Sequence, residues 1–198
     1  LILQGLHTAL DTSGAVPLLS CRGAVEQADL LLLDIKAADD ALFRRLTGRG
    51  MENTLELLDY CENVGKPVWI RHVLVPGLTM EDGQLHRLGR RLQPYACIQR
   101  VEVLPFHKMG EYKWKELGEP YTLEKTEPPS PEEAEKARAL LREYGISARL
   151  TFSNSLLREE HLTDKKCNEL CKMFEHAPDT DNSPHTHQLQ NGVIVHSE

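Results

Sequence analysis

Apolar and polar positions alternate in two registers along the first 150 residues. Five short, nearly continuous apolar runs read as strands: residues 5–12 (GLHTALDT), 30–36 (LLLLDIK), 67–76 (PVWIRHVLVP), 100–106 (RVEVLPF) and 146–152 (ISARLTF). Between them lie segments with helical spacing. In NTLELLDYCENVG, Asn53 is the expected N-cap, Glu56 follows three later and Gly65 stops the helix. In SPEEAEKARALLREYG, Ser130 and Glu133 form a capping-box pattern, Pro131 takes the first helical position and Gly145 ends the run. Ala134, Ala137, Leu141 and Tyr144 share one stripe of that helix, as Leu85, Leu88 and Leu92 do in the segment 80–92. Strands alternating with helices predict βαβ units and a parallel sheet, either an open doubly wound sheet or a (β/α) barrel.

The pattern changes after Ser153, and a boundary is expected near Asn154. LLREEHLTDKKCNELCKMFEH has the spacing of an amphipathic helix. Residues 177–192 (APDTDNSPHTHQLQNG) are polar and turn-rich, the composition of a disordered tail. The expected organisation is therefore residues 1–153 and an extension, 154–198.

Charge enters where apolar runs finish. In a strand alternate side chains share a face, so Leu30, Leu32, Asp34 and Lys36 point one way and Leu31, Leu33 and Ile35 the other. Asp34 and Lys36 fall at the C-terminal end of their run, the end at which parallel α/β folds bind ligands. A charge in a dry interior costs several kcal/mol unless it meets a partner, an ion or a polar ligand. An Asp34–Lys36 ion pair or a lysine reaching solvent would also meet that cost. The neighbouring runs repeat the theme: Asp11 precedes a Ser13–Gly14 turn, Arg71 and His72 sit on opposite faces, and His107 lies just beyond LPF. Two aspartates can share a cation through oxygen, and a strand-end lysine can hold a carboxylate or form a Schiff base. The residues by themselves indicate a polar site for a zwitterionic or anionic small molecule.

Composition narrows the partners. The chain has 198 residues, is 40% apolar and 27% charged, and carries a formal charge of −7, which argues against nucleic acid as the main partner. No apolar run approaches the ~20 residues of a membrane span. Five cysteines with irregular spacing do not form a secreted disulfide framework, and a cytoplasmic location is expected. The first residue is Leu1, so a preceding segment is expected.

GLHTALDTSG, ADLLLLDIKAADD, KPVWIRHVLVPGLT, RVEVLPFHKMGEYKW and EKARALLREYGI occur in one order. Together they resemble the C-terminal part of the pyruvate formate-lyase activating enzymes, the glycyl-radical activase branch of radical SAM proteins, over about residues 1–150. The resemblance implies an α/β fold: an incomplete (β/α)6 partial barrel with parallel strands, lacking its N-terminal strands. It implies reductive cleavage of S-adenosylmethionine at a [4Fe–4S] cluster, giving a radical that removes hydrogen from a glycine of pyruvate formate-lyase or a related glycyl-radical enzyme. Flavodoxin or ferredoxin is the implied electron donor. Carried over by motif, Lys36 would hold the methionyl carboxylate. The segment Asp34, Ile35, Lys36, Ala37 and Ala38 would line the cofactor, with His107 contacting it from another strand. Asp11, Thr12 and Asp34 would hold a monovalent cation.

The family's C-x3-C-x2-C cluster motif does not occur in this sequence. Cys167 and Cys171 have its first spacing, but Phe174 stands where the third cysteine would be. This chain alone is therefore expected to be inactive, and its first strand is expected to present an open, aggregation-prone edge. Two further readings fit the residues: a Schiff-base lyase or aldolase using Lys36, and a non-catalytic fragment that docks a glycyl-radical enzyme.

Overall fold

The computed structural model describes residues 6–151 and the backbone of Ile194–Val195. In chain order the elements are β1 (Thr8–Thr12), α1 (Leu18–Gln27), β2 (Leu30–Asp34), α2 (Asp40–Thr47), α3 (Glu52–Val64), β3 (Val68–Leu74), α4 (Asp82–Leu92), β4 (Ile98–Pro105), α5 (Glu111–Leu117), α6 (Pro131–Arg142), β5 (Ala148–Leu150) and β6 (Ile194–Val195).

The sheet order is β5-β4-β3-β2-β1-β6. Strands β1 to β5 are all parallel and follow one another without a reversal. A doubly wound sheet reverses its order at a switch point; this sheet does not, and so has the winding of a barrel segment. Its two faces differ accordingly. Leu31, Leu33, Ile35, Val68, Ile70, Leu74, Val101, Val103 and Ala148 form the main core with residues of α1, α3, α4 and α6. Among the described residues the other face carries a small apolar group, Ala9, Leu30, Leu32 and Trp69, with no helical residue in it. The expected open edge on β1 needs correction. Ile194–Val195 pairs antiparallel with Thr8 and Ala9, so part of that edge is covered. The boundary at Asn154 and the helix-then-tail reading lie outside the described residues.

Local signals hold in detail with one exception. The Ser130–Glu133 capping box is complete and Pro131 opens α6. Asn53 is not a cap: α3 starts one residue earlier, and the Asn53 amide donates to the Ala15 carbonyl at 3.0 Å. Beside it, the Thr54 hydroxyl donates to the Ser13 carbonyl at 2.9 Å. These bonds stitch the turn after β1 onto α3. Gly14 sits in that turn at φ 62°, where a Cβ would come within 3.1 Å of the Thr54 Cα, so the turn needs glycine on two counts.

Helix α4 meets the turn after α6 at another glycine. A Cβ on Gly89 would stand 2.3 Å from the Tyr144 ring, and the Tyr144 hydroxyl is tied to His86 Nδ1 at 2.8 Å. The ring cannot retreat without losing that bond. Gly89→Ala is expected to cost about 1–3 kcal/mol, the usual scale of overpacking, despite the better helix propensity of alanine. Urea denaturation of both proteins checks this; a stabilised variant would show that the contact yields freely.

Candidate functional site

Strand alternation places the charged residues on the face opposite the helix-packed core. Asp34 pairs in register with Arg71, and Arg71 with Glu102, so the three stand side by side across β2, β3 and β4. Asp11 lies on the same face one layer lower, in register with Leu32. Arg71 joins them. Its Nε donates to Asp34 Oδ1 at 2.9 Å and a terminal guanidinium nitrogen donates to Asp11 Oδ1. The other Asp34 oxygen accepts from Lys36 Nζ at 2.6 Å. The side chains of Asp34, Arg71 and Asp11 are 18%, 22% and 24% exposed, whereas Lys36 is 39% exposed. The array is formally neutral, half-buried at its centre and open at its lysine.

Deeper on that face, Arg100 pairs with Glu102 at 2.8 Å and stacks 3.3 Å above the Trp69 ring. The Trp69 indole donates to Gln99 Oε1 at 3.1 Å. Arg71, Trp69, Arg100 and Glu102 were not among the expected site residues. Their signal was available: VWIRHVL and RVEVL alternate with period two, so Trp69–Arg71 and Arg100–Glu102 had to share a face.

The expected residues separate into groups. Asp11, Asp34 and Lys36 are brought together, through Arg71. Thr12 is in register with Leu33 on the helix-covered face, and its hydroxyl accepts the Gly14 N–H at 3.0 Å. The three residues named for a cation are thus not gathered on one face, and a guanidinium stands between the two carboxylates. Ile35, Ala37 and Ala38 are buried in apolar clusters, so only their main chain is available to line a ligand. The Ala38 carbonyl is already taken by Arg91 Nε at 3.1 Å. His107 is exposed beyond β4, and its Nδ1 accepts the Met109 N–H at 3.3 Å.

His72, from the same strand as Arg71, is in the core. Burial pushes its imidazole below the ordinary histidine range, against smaller opposing contributions from the Ile35 and Thr79 main chain and from Asp34, with Lys36 adding to the depression. In the unfolded chain the ring takes a proton near pH 6.5; in the folded chain it resists. The unfolded state therefore binds more protons below that pH, and this contribution to stability is lost as pH falls from about 6.5. Urea midpoints from pH 7.5 to 5 are expected to drop in the parent and to drop less in His72→Leu. Parallel slopes would contradict the assignment.

The described cysteines do not suit an iron–sulfur cluster. Cys21 lies on α1, Cys61 on α3 and Cys97 just before β4; Cys61 and Cys97 are buried, and burial, joined at Cys97 by the neighbouring Glu62, raises their thiols to about 11 and about 12. Among the described residues no group of three or more His, Cys, Asp or Glu is placed to hold a metal ion. Cys167 and Cys171 lie outside the described residues. Among the described residues no helix is long and apolar enough to cross a membrane.

Comparison with known proteins agrees with this architecture. The chain is 42% identical over 145 residues to the pyruvate formate-lyase-activating enzyme of Streptococcus mutans, covering 70% of this chain and 55% of that protein. It is 37% identical over 146 residues to the pyruvate formate-lyase 1-activating enzyme of Escherichia coli K12, covering 72% of this chain and 58% of the relative. No protein-family model matches the chain. Among solved structures, a domain of a pyruvate-formate lyase-activating enzyme from Bacteroides vulgatus superposes with a TM-score of 0.62 at 21% identity, covering 75% of this chain and 83% of that one. A radical SAM methyltransferase from Sphaerobacter thermophilus superposes with a TM-score of 0.53 at 20% identity, covering 73% of this chain and 40% of that one. These two likenesses establish the fold alone. The chain spans about half the length of the curated relatives it matches. By sequence it is a relative of the pyruvate formate-lyase-activating enzymes, and its described residues form a singly wound parallel α/β segment of the kind seen in a domain of that name.

Proposed function

We propose that the array Asp11–Arg71–Asp34–Lys36 binds the methionyl end of S-adenosylmethionine, and that this chain is the corresponding part of an activase serving pyruvate formate-lyase or a related glycyl-radical enzyme. The observation that carries the reading is the neutral set of two carboxylates and two cations on the face opposite the helix-packed core, gathered where β2 ends. The ammonium and carboxylate of the ligand's amino-acid terminus cancel, so they exchange partners within such a set without changing its net charge, and the sulfonium lies beyond them. Lys36 is the most exposed member and, among the described residues, is tied to Asp34 alone. It turns from Asp34 to the ligand carboxylate, while Arg71 stays bridged to Asp34 and Asp11. Asp34 Oδ2, released by Lys36, becomes an acceptor for a ligand N–H. His107 stands outside this array, and its contact with the ligand belongs to the proposal.

On one-electron reduction, bound S-adenosylmethionine supplies the radical chemistry by which a glycine hydrogen of the partner enzyme is removed. The described cysteines do not fit the cluster that delivers the electron, and no step through it is assigned to this chain. Flavodoxin or ferredoxin as donor, and the cytoplasm as location, follow from the same reading. The Schiff-base alternative finds less support: Lys36 is ion-paired to Asp34, not set as a lone amine in an apolar pocket.

Isothermal titration of the full chain with S-adenosylmethionine and with its decarboxylated form tests the reading. The decarboxylated form is expected to bind about tenfold or more weakly, the scale of one charged hydrogen bond. Equal binding of the two, or none of either, would overturn the assignment.

A further inference from the structure

His72 does more than fill the core. Strand β2 ends at Asp34, and the chain then leaves the sheet. The next residue, Ile35, is fully buried. Its N–H donates to the Arg71 carbonyl at 3.0 Å, which continues the β2–β3 ladder by one main-chain bond. Its carbonyl has no main-chain donor in that ladder; instead His72 Nδ1 lies 2.7 Å from it. A carbonyl can only accept, so Nδ1 must carry the proton. Among the described residues the other ring nitrogen, Nε2, is buried without a hydrogen bond of ordinary geometry, although the Thr79 main chain adds a smaller favourable interaction with the ring. Two successive residues of β3 therefore grip both main-chain groups of Ile35. The side chains on either side of Ile35 are Asp34 and Lys36, and the first of the two gripping residues is Arg71.

We propose that His72 is a positioning residue for the ligand site: its Nδ1–H extends the β2–β3 pairing one step past Asp34 and so fixes Lys36 relative to Arg71. The inference rests on the functional reading above for its effect on S-adenosylmethionine, but not for the positioning itself. A side chain serves here because β2 has already turned away from the sheet. An apolar residue would leave a buried carbonyl without a donor. Asparagine carries an amide N–H near the place of Nδ1 and can substitute.

Three measurements on the full chain decide the proposal. Nitrogen-15 spectra of the parent are expected to show His72 as the neutral Nδ1–H tautomer from pH 6 to 8; an Nε2–H ring would overturn it. In His72→Leu, hydrogen exchange of the peptide spanning residues 34–38 is expected to quicken about tenfold, with His72→Asn within about threefold of the parent. The affinity for S-adenosylmethionine is expected to follow the same order, about tenfold weaker in the leucine variant and restored in the asparagine variant. Unchanged exchange in a folded leucine variant would overturn the proposal. Tautomer and exchange are read without ligand, so they decide it even where the parent binds none, an outcome that would sink the ligand reading alone. The tautomer also decides it if the leucine variant does not fold.

Discussion

Replacing Arg71 with methionine is expected to destabilise the protein by about 2–3 kcal/mol and to abolish ligand binding. Removing one partner of a fully buried ion pair costs about 3–5 kcal/mol, because the charge left behind has no counterion. Here Arg71 serves two carboxylates, Asp34 and Asp11. Each keeps about a fifth of its exposure, so water recovers part of the loss and the lower end of the scale applies. Lys36 already serves Asp34 and cannot neutralise both. Methionine keeps most of the apolar stem, so the change is chiefly electrostatic. The effect should be strongly non-additive. With Asp11→Asn and Asp34→Asn also present, the charges that Arg71 neutralises are gone, and the triple variant should recover most of the lost stability. Urea midpoints read the outcome; a triple variant less stable than the single one would show that Arg71 contributes packing alone.

Lys36→Ala is expected to weaken S-adenosylmethionine binding by roughly 1.5–3 kcal/mol, or about ten- to more than a hundredfold, while leaving stability within about 0.5 kcal/mol. The two effects separate because Lys36 is the exposed member of the array, and Asp34 retains Arg71 as counterion when the lysine is gone. Decarboxylated S-adenosylmethionine completes a thermodynamic cycle. If Lys36 meets the methionyl carboxylate, removing either group makes removal of the other nearly neutral. The parent and Lys36→Ala should then bind the decarboxylated ligand about equally. A lysine variant that loses the same factor for both ligands would place Lys36 against some other part of the molecule.

How much of this could be read beforehand depends on the range of the interaction involved. Strand and helix positions follow from short-range patterns, and the Ser130 capping box and the stripe of Leu85, Leu88 and Leu92 appear as expected. Asn53 misled because two long-range acceptors, the carbonyls of Ser13 and Ala15, set where its helix begins. The choice between a doubly wound sheet and a barrel was not available from alternation alone; it needed the strand order. At the site, Asp34 and Lys36 were visible because a charge ending an apolar run is costly unless answered. Thr12 was grouped with Asp11 by motif, and the register sets the two on opposite faces of β1. Arg71 was visible as a charge, but its partners lie 37 and 60 residues away, and only the parallel register brings them within reach.

The most direct test is a titration of the nitrogen-15-labelled full chain with S-adenosylmethionine, followed by amide and side-chain shifts. Expected are changes centred on Asp11, residues 34–38 and the Arg71 guanidinium, absent when Lys36 is alanine. Shifts confined to the helices, or persisting unchanged in Lys36→Ala, would mean that the neutral array at the strand ends does not receive this ligand.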